Sequence, residues 1–272
     1  MDYAPLLKTL FHGVTLHVED LFFLESFQIE YLPGRVPKEP FAVLLHAHPV
    51  IQRYLVTMYP PVSDFIHGIL KETAPAKNNK MIDQKCDDAL WEIADLIVYN
   101  KYPEVYNARV GFDWDMDEII SPRYIRGKVV LDVGAGPGKL AFLAAKFAKT
   151  VFAVEPVYGF RRFMKEKATR ENVKNLFVVD GTLDAIPFPD NSVDILMTSQ
   201  AIGWNLKAEL DEIERVLKPK GRAIHLFENA DTDVEAGKRI HDFLTSSEWK
   251  YEYKKYEVAG GCKIKYSKTM FC

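Results

Sequence analysis

The sequence predicts an α/β chain. A doubly wound, mostly parallel sheet over residues 127–272 follows a mainly helical region over residues 1–126. Three observations predict it. From Gly127 onward short apolar runs alternate with helix-like segments, the pattern of βα units. One of those runs, Val129–Val133, leads straight into a glycine-rich turn and then a helix. The chain closes with two strand-like runs around Gly260-Gly261, a hairpin that adds an antiparallel edge.

In the front region Leu32–Phe41 carries Pro33, Gly34, Pro37 and Pro40 and reads as loop. His48–Met58 reads as a helix stopped by Pro60-Pro61, and a further helix is expected over about Val62–Glu72. Thr73–Lys80 (TAPAKNNK) has linker composition. From Asp83 a helix with one apolar stripe is expected, through Ala89, Leu90, Ile93, Ala94, Ile97 and Val98. Tyr99, Tyr102 and Tyr106 follow it.

Behind Gly127 the expected strands are Val129–Val133, Val151–Glu155, Leu176–Asp180, Val193–Ser199 and Ala223–Phe227. The closing pair is Lys250–Val258 and Lys263–Phe271. Helices are expected over Lys139–Ala148, Phe160–Thr169, Lys207–Leu217 and about Val234–Leu244, the third closed by Pro219 and Gly221. No internal repeat is present.

Composition excludes several classes. With 48% hydrophobic residues and a net charge of −3, the chain buries too much apolar surface for disorder. Apolar stretches in the first 30 residues are interrupted by His12, His17, Glu19, Asp20 and Glu25, so neither a leader nor a spanning helix is expected. Cys86, Cys262 and Cys272 form no C-x-x-C pair or disulfide framework, which points to a reducing cytosol. Residues 1–126 hold 12 Lys and Arg against 18 Asp and Glu, net −6, whereas residues 127–272 hold 23 against 20, net +3. An acidic front region argues against a nucleic-acid platform, which needs a basic face.

The chemistry is concentrated in VVLDVGAGPGKL, residues 129–140. Such a strand–turn–helix brings bare backbone against a ligand at the carboxyl end of the strand. Glu155 closes the next expected strand, 21 residues after Gly134, and a carboxylate there can accept both hydroxyls of a ribose. The G-x-G-x-x-G fingerprint of nicotinamide cofactors fails, because the sixth position is Lys139. Asp132, two residues before the first glycine, would oppose a pyrophosphate but suit an ammonium group. A ligand with a ribose, an amino group and no phosphate fits: S-adenosylmethionine.

At these residues the sequence resembles the class I S-adenosylmethionine-dependent methyltransferases, in their small-molecule, type 11-like branch. LDVGAGPG is similar to the family's first motif, VEP (154–156) to its ribose-binding strand end, and DAIPFPDNSVDIL (184–196) to its loop and fourth strand. ERVLKPKGR (214–222) resembles the helix and turn before the fifth strand. The resemblance covers about residues 127–272. It implies a Rossmann-like sheet of order 3-2-1-4-5-7-6 with strand 7 antiparallel.

It also implies site residues. Gly134, Ala135 and Gly136 would back the methionine moiety, with Asp132 helping to orient it and Gly138 joining the cofactor-binding set; Glu155 would hold the ribose, and Pro156 and Val157 an adenine face. Where the family often has an aspartate near the adenine amine, this chain has Gly181-Thr182-Leu183, with Asp184 as a substitute. Where it often has a histidine before an aromatic, Gly203 precedes Trp204, so any base role there is lost. Gln200 joins the cofactor-binding set, and Tyr99, Tyr102, Tyr106, Trp204 and Glu228 are candidates to line an acceptor site. No catalytic residue and no metal are assigned.

The expected function is in-line methyl transfer to a small molecule, in the cytoplasm, with residues 1–126 as lid or substrate region. The alternatives are an RNA or protein methyltransferase whose front region docks the substrate, and a non-catalytic nucleoside-binding module. Plainer roles are expected elsewhere. His46 and His48 form H-x-H without a third ligand and read as capping or surface residues. His225 lies inside a strand and reads as core, and Arg161, Arg162, Lys165, Lys167 and Arg170 as a solvated helix face.

Overall fold

In a computed structural model of the chain, residues 3–228, 235–258 and 261–271 are described. Val234, Gly260 and Cys272, named in the sequence reading, lie outside them. The chain divides into two units, Met1–Val110 and Gly111–Cys272.

The first unit is helical. Its core joins Phe41, Leu44 and Leu45 to Leu55, Ile66, Leu90, Ile93 and Ile97. The proline-rich segment expected as loop is instead largely helix, over Leu32–Arg35 and Lys38–Ala47. Pro33 and Pro40 sit in first turns, where the missing N–H has no intrahelical partner to lose. The next helix starts at Pro49 and ends at Met58. Ser63–Glu72 and Asn79–Trp91 flank the expected linker and share one core cluster through Ile66, Ile69, Cys86 and Leu90. Residues 73–78 therefore connect two helices of a single unit. The side chain of Asn78 caps the second by accepting the Met81 amide at 3.3 Å.

The long amphipathic helix breaks into Asn79–Trp91 and Ala94–Lys101. Buried Glu92 lies at the break. Its carboxylate accepts the amides of Tyr3 and Ala4 at 2.9 and 3.2 Å, and its carbonyl accepts Arg35 at 3.0 Å. The first two bonds supply acceptors for orphan N–H groups at the start of helix Ala4–Leu10.

The second unit carries the sheet, in the order β3-β2-β1-β4-β5-β7-β6. The strands are β1 Val129–Val133, β2 Thr150–Val154, β3 Leu176–Val179, β4 Val193–Ser199, β5 Leu217–Phe227, β6 Glu252–Val258 and β7 Gly261–Thr269. β1 to β5 pair in parallel, and β7 is antiparallel to both β5 and β6. Helices Lys139–Ala145, Tyr158–Arg170, Leu206–Val216 and Glu235–Thr245 complete the unit.

The division falls after Val110 rather than after residue 126 because Trp114, Met116, Ile119, Ile120 and Ile125 are buried with Val130, Leu140, Met197 and Ile224 of the sheet unit. β5 also starts earlier than expected. Its register jumps from Leu217 opposite Val193 to Arg222 opposite Ile195, so residues 218–221 form a bulge inside the strand. Lys220 takes φ +63°, and a Cβ on Gly221 would lie 2.8 Å from the Lys218 carbonyl oxygen. The Pro219-to-Gly221 turn read from sequence is this bulge.

Candidate functional site

β1 ends at Val133, and the chain turns through three glycines with positive φ, Gly134 at +70°, Gly136 at +54° and Gly138 at +84°. The turn stays tied to β2, because the amides of Gly134 and Ala135 both donate to the Val154 carbonyl, at 2.9 and 3.1 Å. A Cβ on Gly134 would stand 2.4 Å from that of Ala201, so any side chain there would push apart the ends of β1 and β4. A Cβ on Gly136 would meet no atom within 4 Å: the turn presents bare backbone to an open space.

Buried Glu155 faces this turn from the end of β2. Its carboxylate accepts the Gly136 amide at 2.7 Å and the Val157 amide at 2.9 Å. One side chain thus pins the glycine turn to the start of the next helix. Arg161, read from sequence as part of a solvated face, is turned inward. It donates to the carbonyls of Glu155, at 2.9 Å, and Pro156, and to the Asp180 carboxylate at 3.0 Å. It therefore clamps the end of β2 to the end of β3. The sequence signal was an arginine six residues after the acidic strand end, one turn into the following helix.

Asp132 is 1% exposed, and neither carboxyl oxygen has a hydrogen-bond partner among the described residues. Burial pushes its pKa up to about 8, and the charge of Glu155 adds to the rise. The Ala141 amide in the next helix opposes the rise in part. The carboxyl therefore holds its proton at pH 7 and would release it to an ammonium donor placed beside it, so Asp132, the open Gly136 and Glu155 fit a nucleoside ligand with an amino group.

The other loops meet at the same edge. After β3, a Cβ on Gly181 would strike Pro187 at 2.7 Å and Val154 at 2.9 Å, while Thr182 donates to Asp184 at 2.6 Å and Leu183 is buried. The two residues weighed for the adenine contact thus bond to each other. After β4, Gln200 takes φ +56°, uncommon for a side-chain-bearing residue, and its amide nitrogen donates to the Glu228 carbonyl at 2.8 Å.

The methyltransferase domain family matches residues 131–225 of this chain, the span from β1 to β5. An uncharacterized methyltransferase of Mycobacterium tuberculosis is 38% identical over 94 residues, 34% of this chain and 37% of that protein. Malonyl-[acyl-carrier protein] O-methyltransferase of Yersinia pestis is 32% identical over 131 residues, 43% of this chain and 46% of that protein. A crystal structure of an S-adenosylmethionine-dependent methyltransferase from Aquifex aeolicus is similar at TM-score 0.46 and 21% identity, over 56% of this chain and 91% of that one. Residues 131–225 thus form a methyltransferase domain, on the strand order expected from the sequence. The chain's similarity covers less than half the length of these curated relatives.

The remaining candidates separate. Glu228 accepts the Asp113 amide at 2.7 Å, which ties segment 111–113 to the end of β5. Trp204 is 74% exposed. Its loop is held by Glu209, a buried residue that sequence reading passed over, which accepts the amides of Gly203, Trp204 and Asn205 at 2.8, 2.9 and 2.9 Å. Glu209→Ala is expected to leave those amides without acceptors and to cost about 2–3 kcal/mol, read as the shift of a urea midpoint.

Tyr99, Tyr102 and Tyr106 lie in the helical unit. Tyr99 and Tyr106 meet edge to face at 4.9 Å, and Tyr102 and Tyr106 pack on the cluster of Leu7, Phe11, Ala94 and Val98. His46 bonds the Thr73 carbonyl at 2.7 Å, and no metal-binding group of His, Cys, Asp or Glu occurs among the described residues. His225 is fully buried, shares a hydrogen bond with Thr198 at 2.9 Å, and is held by burial at a pKa of about 3. Its neutral, enclosed ring is core, as expected. No helix among the described residues is long and apolar enough to cross a membrane.

Proposed function

We propose that this protein transfers a methyl group from S-adenosylmethionine to a small-molecule acceptor, in the cytosol. One observation carries the cofactor assignment. A buried carboxyl whose oxygens meet no side-chain partner among the described residues (Asp132) and a second buried carboxylate (Glu155) flank a glycine turn whose Gly136 opens onto free space. When bound, S-adenosylmethionine supplies a methyl group on a positively charged sulfur.

In this reading the backbone of Gly134, Ala135, Gly136 and Gly138 bounds the methionine end, and Asp132 meets its ammonium group. Glu155 accepts the ribose hydroxyls, while Pro156, Val157, Gly181, Thr182 and Leu183 bound the adenine. Gln200 completes the set from β4. Arg161 fixes the loop that presents Glu155. The transfer is in line, and the protein contributes by orienting the reactants and excluding water. A base is required only for an acceptor that is protonated at working pH, so none is assigned.

Acceptor choice is ascribed to residues 1–126, with Tyr99, Tyr102 and Tyr106, together with Trp204 and Glu228. The net charge of −6 over residues 1–126 favours a neutral or cationic small acceptor over a phosphate backbone. The fourth strand also leads into Thr198-Ser199-Gln200-Ala201 in place of the [DNS]-P-P-[YF] pattern associated with methylation of exocyclic amines.

Isothermal calorimetry tests the assignment. The expected result is saturable binding of S-adenosylmethionine and S-adenosylhomocysteine and no heat with NADH. Binding of NADH without either sulfur compound would overturn it.

A further inference from the structure

The sheet unit carries a second cluster of chemistry away from the glycine turn, where β5, β7 and the start of β6 meet the short helix Met116–Ile119. A cavity of about 360 Å³ opens there, lined by the cations Arg222, Lys250, Lys265 and Lys268, with Glu252 as its single acid. Ser267 and Thr269 add hydroxyls to the wall, and Ile119, Ile224 and Phe271 form its apolar part.

The cations differ in how they are satisfied. Lys268 is paired with Glu214. Lys265 donates to the carbonyls of Glu118 and Ile119 at 2.5 and 3.2 Å, so its charge rests on a helix end, and no carboxylate among the described residues pairs with it. Arg222 lies over the ring of Tyr124 at 4.2 Å, and its buried Nε has no hydrogen-bond partner. Among the described residues no acceptor is recorded for any of its guanidinium donors.

The buried Nε without an acceptor is costly, while the two terminal nitrogens are not buried and can meet a ligand in the cavity. Placing Lys265 in the same cavity adds like-charge repulsion. The Tyr124 ring beneath the guanidinium offsets part of this. A doubly charged group with several acceptor oxygens would satisfy the guanidinium fork, the Lys265 charge and the two hydroxyls together.

We propose that this cavity binds the phosphate group of a phosphomonoester, with Arg222 as its principal ligand and the apolar wall receiving the organic part. The site is separate from the cofactor reading and does not depend on it.

The test titrates inorganic phosphate and glycerol phosphate into the full chain by calorimetry at constant ionic strength, with chloride as the balancing ion. Saturable binding at one site is expected, weakened about tenfold or more in Arg222→Met and less in Arg222→Lys, which keeps the charge but loses the fork. Lys265→Met should also weaken it. Co-sedimentation with phosphatidic acid vesicles that is lost in Arg222→Met would place the phosphate on a lipid headgroup; binding of glycerol phosphate alone would place it on a soluble ester. Absence of saturable binding to the wild-type chain, or equal binding by the wild type and the Arg222 and Lys265 variants, would overturn the proposal. S-adenosylmethionine binding measured on the same variants reports that the sheet unit is intact.

Discussion

Glu155→Ala is expected to weaken S-adenosylmethionine binding by at least tenfold and to lower stability by about 2–4 kcal/mol. Two separate losses add. In the proposed reading the ribose loses a charge-assisted acceptor, worth about 1.5–3 kcal/mol. The folded protein also loses the acceptor of the Gly136 and Val157 amides, which the carboxylate now satisfies at 2.7 and 2.9 Å. Glu155→Gln separates the two. Its side chain has one oxygen and one NH2 group, so one of the two amides faces a donor, while the volume of the site is kept. The glutamine variant should therefore lose affinity with a smaller loss of stability. Calorimetry and urea unfolding on both variants check this. An unchanged dissociation constant in a folded alanine variant would show that the ribose is held elsewhere.

The same residue shows how far the site was legible in the sequence. That a carboxylate should stand at the end of β2 follows from strand length and the spacing after Gly134. That it also pins the glycine turn does not, because the bond joins Glu155 to Gly136 across two strands. Arg161 is a similar case. Its neighbours Arg162 and Lys165 give the helix a basic, solvated look, yet one residue of that run turns back to the carbonyls behind the helix. Periodicity identifies a face but not which cation on it meets acceptors.

The sheet was more legible than the helical unit for a physical reason. Strands buried on both faces read as short β-branched runs, and β1 occupies the residues expected of it. In the front region the prolines of residues 33–40 carry two opposite meanings: they break a helix interior but suit a first turn. Only the packing of Phe41, Leu44 and Leu45 into the core decides between them. The bulge in β5 was read as the end of a helix because Pro219 and Gly221 serve equally as helix stop and as strand irregularity.

Asp132→Asn is expected to flatten the dependence of stability on pH above neutrality. Burial raises the Asp132 pKa to about 8 in the folded chain, against about 3.9 when unfolded. Between those values the folded state holds a proton that the unfolded state has released, so stability falls with rising pH by about 1.4 kcal/mol per unit. His225 acts in the opposite sense. Its folded pKa of about 3 lies below the unfolded 6.5, so between them the unfolded state holds the extra proton and stability rises with pH. From about pH 4 to 6.5 the two slopes cancel. From about 6.5 to 8 Asp132 acts alone and about 2 kcal/mol is lost. Urea unfolding at intervals from pH 5.5 to 8.5 should show a plateau followed by this decline in the wild type, and no decline in the asparagine variant. A decline of equal size in both would place the titrating group elsewhere. An ammonium donor beside Asp132 favours the ionised carboxylate and lowers its folded pKa, so saturating S-adenosylmethionine should suppress the wild-type decline above pH 6.5 and leave the pH dependence of the asparagine variant unchanged.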